Sequence, residues 1–344
     1  MPSTPSSQAA ADRPAGPALP TFADIEAAAG RLAGQAVVTP LLTNAQLDRE
    51  TGARVLIKPE TLQRTGSFKF RGAYNKISRL AAGPNRPRAI VAYSSGNHAQ
   101  GVAAAAELAG IPALIVMPSD APEIKVANTK GYGADVVFYD RRTERRDEMA
   151  ERIAAERGAV IVPPYDDSDI IAGQGTAARE IVLQARERGA VPDLLLGPCS
   201  GGGLLAGSAL ALEALSPETE IYSVEPTGFD DMRRSLDAGR RLENDAVSGS
   251  FCDGLLSRQP GELTFQINRR RLAGGLAVSD AEVAAAMEYA FRVLKLVLEP
   301  SGAVGLAALL AGKIDAKGRT VAVLCSGGNV DAATFCRAIG RGAG

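Results

Sequence analysis

The sequence predicts an α/β protein with two open parallel sheets, and three observations predict it. Short apolar runs alternate with longer segments of helical period along most of the chain. Several of these runs consist of Val, Ile and Leu without interruption, which is typical of parallel strands covered on both faces. At roughly 150 residues per domain, a chain of 344 residues suggests two domains. Regular alternation of strands and helices indicates the α/β class.

The individual elements follow from these runs. The predicted strands are residues 54–58, 89–94, 113–117, 135–139, 159–162, 193–197, 220–224 and 320–324. The predicted helices are the Ala-rich segments 98–109, 142–157, 176–188, 204–215 and 281–294. Ser279 and Glu282 have the spacing of a capping box at the start of the last of these helices.

Two segments that combine proline with polar residues or glycine, 83–88 and 163–175, bracket four of the predicted strands. We therefore expect a small domain over residues 83–166, inserted into a large domain formed by residues 21–82 and 167–344.

Composition excludes several classes of protein. The chain is 46% hydrophobic and 22% charged, as in ordinary globular proteins. Thirty-eight basic residues nearly cancel 39 acidic ones, so no general attraction to nucleic acid or to anionic lipid is expected. The apolar stretches are shorter than the ~20 residues of a membrane helix. Residues 1–20, rich in Pro, Ala and Ser, are predicted to be a disordered tail.

The cysteines and the single histidine argue against a zinc site of Cys and His ligands. Cys199, Cys252, Cys325 and Cys336 are far apart, and His98 is the one histidine of the chain. Scattered thiols of this kind predict reduced, mostly buried cysteines in a cytoplasmic protein.

Three consecutive glycines, residues 201–203, follow a predicted strand and precede a predicted helix. Glycines at a helix N-terminus let backbone N–H groups approach a phosphate. Gly201-x-Gly203-x-x-Ala206, with Glu225 further on, also fits a dinucleotide-binding fingerprint, so a nicotinamide dehydrogenase is one alternative. A tight turn without a ligand is another. A phosphate-bearing ligand is favoured.

Two further turns follow predicted strands, at residues 94–98 and 326–329. The first, Ser-Ser-Gly-Asn-His, offers hydroxyl, amide and backbone donors to a small carboxylate, although N-capping by Ser95 or Asn97 would explain it too. His98 could serve as a base, or could simply be packed and hydrogen-bonded. Turns at the carboxyl ends of several strands are where an α/β protein binds its ligand.

Lys69 lies between two phenylalanines in a chain that prefers arginine to lysine. A lysine in an apolar setting can lose its proton and form a Schiff base, which arginine cannot. The alternative is an amphipathic segment whose lysine reaches out to solvent.

Together these motifs resemble the serine/threonine dehydratase family, the fold-type II (tryptophan synthase β-like) pyridoxal-phosphate enzymes that include serine racemase. Residues 58–72 resemble its lysine motif, 94–98 its SSGNH loop, 172–176 its AGQGT and 325–331 its SGGNVD. The resemblance extends from about residue 21 to the C-terminus. It implies pyridoxal 5′-phosphate in the cleft between the two α/β domains.

The resemblance also implies roles for matching residues. The catalytic residues would be Lys69, which forms the Schiff base and moves protons at the substrate α-carbon, and Ser95 on the opposite face. The cofactor would contact Phe68, Lys69, Asn97, Ser200, Gly201, Gly202, Gly203, Leu204 and Ser326. The substrate carboxylate would lie among Ser94, Ser95, Gly96 and His98. Ser200 replaces the first glycine of the family's phosphate loop and can serve if its φ is not positive.

A hydroxyl such as that of Ser326 at the ring nitrogen would leave the ring a weak electron sink, which favours β-elimination over transamination. We therefore expect deamination of L-threonine to 2-oxobutanoate and of L-serine to pyruvate. Serine racemase and 3-hydroxyaspartate dehydratase are the alternatives within the family, and a sensor without turnover is the non-enzyme alternative. Tyr165 is a candidate for facing the substrate side chain, or else is a turn aromatic that covers the seam between the domains. Relatives imply a homodimer or homotetramer.

A divalent cation is predicted after the strand at 220–224. Glu225, the Phe229 carbonyl and Asp231 could share one ion, and oxygen-only ligands suit Mg²⁺ or Ca²⁺. The metal-binding members of the family have a similar segment. The competing explanation is that Asp230 or Asp231 caps the following helix.

Overall fold

The computed structural model describes residues 18–94, 96–121, 123–140, 142–246 and 248–340. The strands in this part of the chain are β1 Arg54–Pro59, β2 Ala89–Tyr93, β3 Ala113–Pro118, β4 Asp135–Tyr139, β5 Ala159–Ile161, β6 Leu194–Pro198, β7 Glu220–Pro226, β8 Gly274–Val278 and β9 Thr320–Cys325.

The helices are α1 Phe22–Leu32, α2 Ala45–Thr51, α3 Lys69–Ala82, α4 Asn97–Ala109, α5 Glu123–Gly131, α6 Arg146–Arg157, α7 Ser168–Glu187, α8 Gly203–Leu215, α9 Asp231–Ala238, α10 Glu262–Arg271, α11 Asp280–Tyr289, α12 Pro300–Leu310 and α13 Ala332–Ile339. Short 3₁₀ turns occupy Glu60–Leu62, Arg64–Gly66 and Asp253–Leu255.

The strands form two parallel sheets, as the sequence predicts. One sheet has the order β1-β9-β6-β7-β8 and the other the order β4-β3-β2-β5, and every strand pair is parallel. The smaller sheet is formed entirely by strands from residues 89–161. The exact domain boundaries at 82/83 and 166/167 stay a prediction.

Alternation along the strands produces a core on each face of the larger sheet. In β9, Ala322 and Leu324 pack into one buried cluster, whereas Val321 and Val323 pack into the other. Helices α7 and α8 contribute to the first cluster and α11 and α12 to the second. The sheet is therefore covered on both sides, which explains the continuous apolar runs.

Several sequence-based boundaries were wrong. Strand β8 was not predicted, because Gly274 and Gly275 interrupt its apolar pattern; an added Cβ at Gly275 would lie 2.5 Å from Arg233 Cβ. Helix α7 begins at Ser168, so much of the predicted seam at 163–175 is helical. Helix α6 starts four residues later than predicted.

Other expectations can be compared directly. The capping box of Ser279 and Glu282 is confirmed at the start of α11, which ends at Tyr289 and continues as a π-helical segment, Ala290–Leu294. All four cysteines are free, and three of them are buried. No described helix has both the length and the apolar character needed to cross a bilayer. Most of the predicted tail, residues 1–17, lies outside the described residues.

Candidate active site

A cavity of about 250 Å³ lies where strands of both sheets end. Three turns reach it: residues 94 and 96–98 after β2, residues 200–203 after β6, and residues 326–329 after β9. These are the turns that the sequence singled out. Their meeting at the carboxyl ends of parallel strands agrees with the general location of ligand sites in α/β folds.

The cavity brings together almost all of the predicted cofactor and substrate residues. Those that line it are Phe68, Lys69, Ser94, Gly96, Asn97, His98, Ser200, Gly201, Gly202, Gly203, Leu204 and Ser326. Ser95, the predicted second catalytic residue, lies outside the described residues. The predicted metal ligands are not part of this lining.

Backbone hydrogen bonds bring Lys69 next to the turn at residues 326–329, called here the C-terminal turn, although the two are distant in sequence. The Phe68 N–H donates to the Ser326 carbonyl (3.0 Å), and the Gly328 N–H donates to the Gly66 carbonyl (2.9 Å). Thr65 adopts a left-handed φ of 64° immediately before this pairing. Helix α3 then begins at Lys69, so its first side chain points from a fixed turn into the cavity.

A buried network of charges supports the start of α3. Arg71 pairs with Glu60 (2.7 Å) and Glu180 (2.6 Å), and Lys58 also pairs with Glu180 (2.6 Å). Burial alone would lower the pKa of Arg71, but the two carboxylates raise it overall. Moving one partner out of such a pair would leave an unpaired buried charge, which is strongly destabilising. The network therefore holds the helix in place two residues from Lys69.

The Lys69 amine is placed to act as a nucleophile or a base. Nζ donates a hydrogen bond to the Pro164 carbonyl (2.8 Å) and lies 5.1 Å from the centre of the Phe68 ring. Burial lowers the pKa of Lys69 to about 8, against the opposing effect of Glu299. A substantial share of neutral amine is therefore present near neutral pH.

The glycine turn presents backbone donors to the cavity. Thr264 Oγ1 donates to the Gly201 carbonyl (2.6 Å), and Asn268 Nδ2 donates to the Gly202 carbonyl (3.1 Å). The C=O and N–H of a trans peptide point in opposite directions. The N–H groups of Gly202 and Gly203 therefore point away from α10, at the open N-terminus of α8, where an anion is stabilised.

The backbone conformation and packing of the turn require glycine at positions 201 and 202, whereas position 200 accommodates a serine. Gly202 has a φ of +92°, and a Cβ added at Gly201 would lie 2.3 Å from the Tyr165 ring. Ser200 does not have a positive φ, and its hydroxyl accepts a hydrogen bond from the Ser257 N–H (3.1 Å). The departure from a four-glycine loop therefore does not disturb the turn.

His98 is packed in the way that the simpler interpretation expected. Its Nε2 lies 2.8 Å from the Val162 carbonyl, and burial together with the Lys69 charge lowers its pKa to about 3. The ring is therefore neutral at physiological pH and donates to Val162. Asn97 does not cap α4, because its side chain hydrogen-bonds Glu299 and Asn329 instead.

Several cavity residues were not predicted from the sequence. Glu299, Arg146 and the ion pair of Lys125 with Asp253 all line the cavity. Glu299 precedes Pro300 at the start of α12, which reads as an ordinary helix start, and nothing in the sequence indicates which way it faces. Tyr165 also lines the cavity, as expected of a residue near the substrate.

The predicted cation gains no support from the structure. Both oxygens of Glu225 accept backbone N–H groups of α9, from Met232 (3.0 Å) and Arg233 (2.8 Å). Asp231 Oδ2 is buried without a hydrogen-bond partner, which would suit a cation. Across the described ranges, however, no three His, Cys, Asp or Glu side chains converge on one point. The capping explanation named the wrong residue. The N–H groups at the start of α9 are bound by the Glu225 side chain, and not by Asp230 or Asp231.

Taken together, the fold and the cavity define a class of protein: an α/β enzyme that holds a phosphate-bearing cofactor beside a partly deprotonated lysine. The glycine turn fits a phosphate, and the buried Lys69 amine fits a cofactor that carries a carbonyl group.

Comparison with known proteins identifies the family. The profile described as "Pyridoxal-phosphate dependent enzyme" matches residues 33–326, so the chain belongs to this family. An L-threo-3-hydroxyaspartate ammonia-lyase from Pseudomonas sp is 47% identical over 91% of this chain and 96% of its own length. A serine racemase from Schizosaccharomyces pombe is 41% identical over 91% and 95%. The crystal structure of a T.th. threonine deaminase superposes with a TM-score of 0.85, at 46% identity over 91% and 99%.

These relatives confirm the fold-type II architecture and a pyridoxal-phosphate-dependent lyase of the ammonia-lyase and racemase group. The nicotinamide dehydrogenase alternative is wrong. Its expected ribose-binding carboxylate, Glu225, is buried against α9 and does not line the cavity.

Proposed function

We propose that the protein eliminates water from a 3-hydroxy amino acid and releases the keto acid and ammonia, with L-threo-3-hydroxyaspartate preferred over threonine and serine. The observation that carries the preference is a guanidinium at the cavity wall. Arg146 lines the cavity and stacks over the Tyr93 ring (5.6 Å). It makes no ion pair with any described carboxylate. An unpaired guanidinium suits a second substrate carboxylate, which threonine and serine lack.

Bound pyridoxal phosphate supplies the electron sink that makes the substrate α-proton acidic. In this proposal the N–H groups of Gly202 and Gly203 hold its phosphate, and the Ser326 hydroxyl meets its ring nitrogen. The neutral Lys69 amine then accepts the α-proton. Its hydrogen bond to the Pro164 carbonyl uses an N–H and leaves the nitrogen lone pair available for that proton.

The substrate carboxylate lies in this proposal at the turn after β2. The first turn of α4 offers backbone donors there, whereas the Gly96 N–H is already donated to the Ser94 hydroxyl (3.2 Å) and holds that hydroxyl at the turn. His98 keeps this turn in place through Val162, and in this proposal it takes no part in proton transfer, because a pKa of about 3 makes its ring a weak base.

The substrate preference is tested by measuring keto-acid release from hydroxyaspartate, threonine and serine. Arg146→Ala should lower kcat/KM for hydroxyaspartate by roughly 10–100-fold, the range for losing a charge-assisted contact, and change the serine value by less than about threefold. Both arginines are exposed, and Arg145→Ala is the matched control because Arg145 does not line the cavity and pairs with Asp147 (2.9 Å). A higher kcat/KM for threonine, or an equal loss for all three substrates, would contradict the preference.

Serine racemisation is the second candidate, favoured by the similarity to a serine racemase. It requires an acid on the face opposite Lys69, the role proposed for Ser95. Chiral analysis of serine after incubation separates the two functions, because an enzyme that only eliminates water yields pyruvate and no D-serine. Ser95→Ala should abolish D-serine formation while leaving pyruvate release measurable.

A further inference from the structure

Glu299 is a buried cavity residue to which neither the motifs nor the proposed mechanism assigns a role. It precedes α12, is 5% exposed and lines the cavity. Its carboxylate packs so closely on the C-terminal turn that a Cβ added at Gly327 would lie 2.3 Å from Oε1. No described cation lies within ion-pair distance of it. Among the described residues, its one direct side-chain hydrogen bond is accepted from Asn97 Nδ2, at 2.6 Å.

The other end of the Asn97 amide is also occupied. Asn97 Oδ1 accepts from Asn329 Nδ2 (2.8 Å), which in addition donates to the Thr65 carbonyl (2.7 Å). An asparagine amide has one carbonyl acceptor and two N–H donors. Asn329 uses the acceptor and Glu299 uses one donor. One N–H of Asn97 is left for a ligand in the cavity.

This arrangement permits only one orientation of the amide. A flipped Asn97 would turn its carbonyl oxygen toward the Glu299 carboxyl and its amino group toward the Asn329 amino group. The contact with Asn329, whose amino group also donates to the Thr65 carbonyl, would lose its hydrogen bond inside a buried site, where an unmade bond is costly, and the contact with Glu299 would lose its own whenever that carboxyl is ionised.

We propose that Glu299 is a positioning residue that, with Asn329, fixes the amide orientation of Asn97 so that its remaining N–H faces the ring oxygen of the cofactor. The inference rests on the proposed function, because it requires pyridoxal phosphate in the cavity; the contact of Asn97 with the cofactor is the one that the family resemblance implies. Glu299 itself acts through Asn97.

The charge on Glu299 should then affect ligand binding. Its pKa is raised to about 8 by burial and by Asp253, while the Asn97 hydrogen bond, Lys125 and Lys69 oppose the rise. Below about pH 8 the carboxyl is neutral and still accepts from Asn97. Above it, a negative charge lies next to the amide and repels an anionic ring oxygen. Affinity should therefore fall as the pH rises through this range.

The test measures equilibrium binding of 4′-deoxypyridoxine 5′-phosphate to the cofactor-free full chain. This analogue keeps the ring oxygen and the phosphate but has no carbonyl for Lys69 to attack. Glu299→Ala and Asn97→Ala should each weaken binding by roughly tenfold. The double variant should be no weaker than either single variant, because both remove the same contact.

Glu299→Gln keeps the acceptor and removes the charge. At pH 6.5 it should bind within about threefold of the unaltered chain, the difference expected when a hydrogen bond is retained. Its fall in affinity between pH 7 and 9 should be clearly smaller than that of the unaltered chain, with only the loss of the Lys69 charge, whose pKa is also about 8, left to cause it. Glu282→Gln, at the distant start of α11, is the control and should change neither quantity.

The outcomes separate the two proposals. Additive losses in the double variant, or an unchanged pH profile in Glu299→Gln, would overturn the positioning role of Glu299. Undiminished binding by Asn97→Ala would instead remove the proposed cofactor contact of Asn97. Thermal denaturation of each cofactor-free variant verifies that it is folded.

Discussion

Two neighbouring strand-to-helix turns in the larger sheet differ in whether the chain itself supplies an acceptor for the free N–H groups at the helix start. Strands β6 and β7 are paired, and each leads into a helix whose first N–H groups lack partners within the helix. After β6 the turn is glycine, its carbonyls are held by α10, and its N–H groups face the cavity. After β7 the Glu225 carboxylate accepts the N–H groups of Met232 and Arg233.

The difference shows how an α/β fold selects one helix N-terminus for a ligand. A helix start binds an external anion only where the chain leaves its first N–H groups without an acceptor. In the turn after β7 the oxygens of Glu225 occupy these N–H groups, and the turn is closed. The turn after β6 places no acidic side chain at the helix start and is left open for a phosphate.

The largest effect is expected from adding a methyl group to the open turn. Gly202→Ala forces an L-residue to a φ of +92° and brings Cβ to 2.8 Å from Asn268 Nδ2. Pyridoxal-phosphate affinity should fall by about tenfold or more, because the N–H groups move, and stability should fall by at least the ~1–2 kcal/mol of a left-handed residue.

Gly228→Ala in the closed turn is the matched control for this variant. Its φ is +86°, but nothing lies within 4 Å of the added Cβ. It should show the loss of stability without the loss of affinity. Equal losses of affinity in both variants would mean that the open turn has no special relation to the cofactor.

An intermediate effect is expected from opening the closed turn. Glu225→Ala removes the acceptor of two buried N–H groups and should lower the free energy of unfolding by roughly 1–3 kcal/mol. Cofactor affinity, measured by absorbance titration, should stay within about twofold, because Glu225 does not line the cavity and separate sites act nearly independently. A parallel loss of affinity would show that the two turns are coupled.

The smallest effect concerns the predicted cation, which would make the closed turn a ligand site as well. If Mg²⁺ or Ca²⁺ binds at Glu225, Phe229 and Asp231, exhaustive chelation should lower the melting temperature by roughly 2–4 °C, and added Mg²⁺ should restore it. Asp231→Ala should then be insensitive to chelation. An unchanged melting temperature and unchanged activity would leave the turn closed by Glu225 alone.

How well a feature could be predicted depends on how far apart along the chain the residues that form it lie. The glycine turn and the Lys69 segment are encoded within a few residues, so their chemistry was readable in advance. Glu299 meets Asn97 across 202 residues of chain, and this contact depends on how α12 packs against the C-terminal turn. Glu225 was predicted to be a metal ligand, and local spacing could not show that backbone N–H groups take up its oxygens.

The same reasoning applies to the fold. Strands β2 and β3 are apolar throughout and were predicted nearly to their ends, whereas β8 is an edge strand with two glycines and was missed. Helix α12 was also missed. It is buried on nearly all sides, so it has no polar face to produce a helical period.

The most direct test of the account is to locate the attached cofactor. The protein is loaded with pyridoxal phosphate, reduced with borohydride and digested, and mass spectrometry identifies the labelled peptide. The seven other lysines of the chain serve as internal controls. The account predicts a yellow protein labelled at Lys69 alone, and an unlabelled chain for Lys69→Ala. A colourless protein, or label distributed over other lysines, would contradict it.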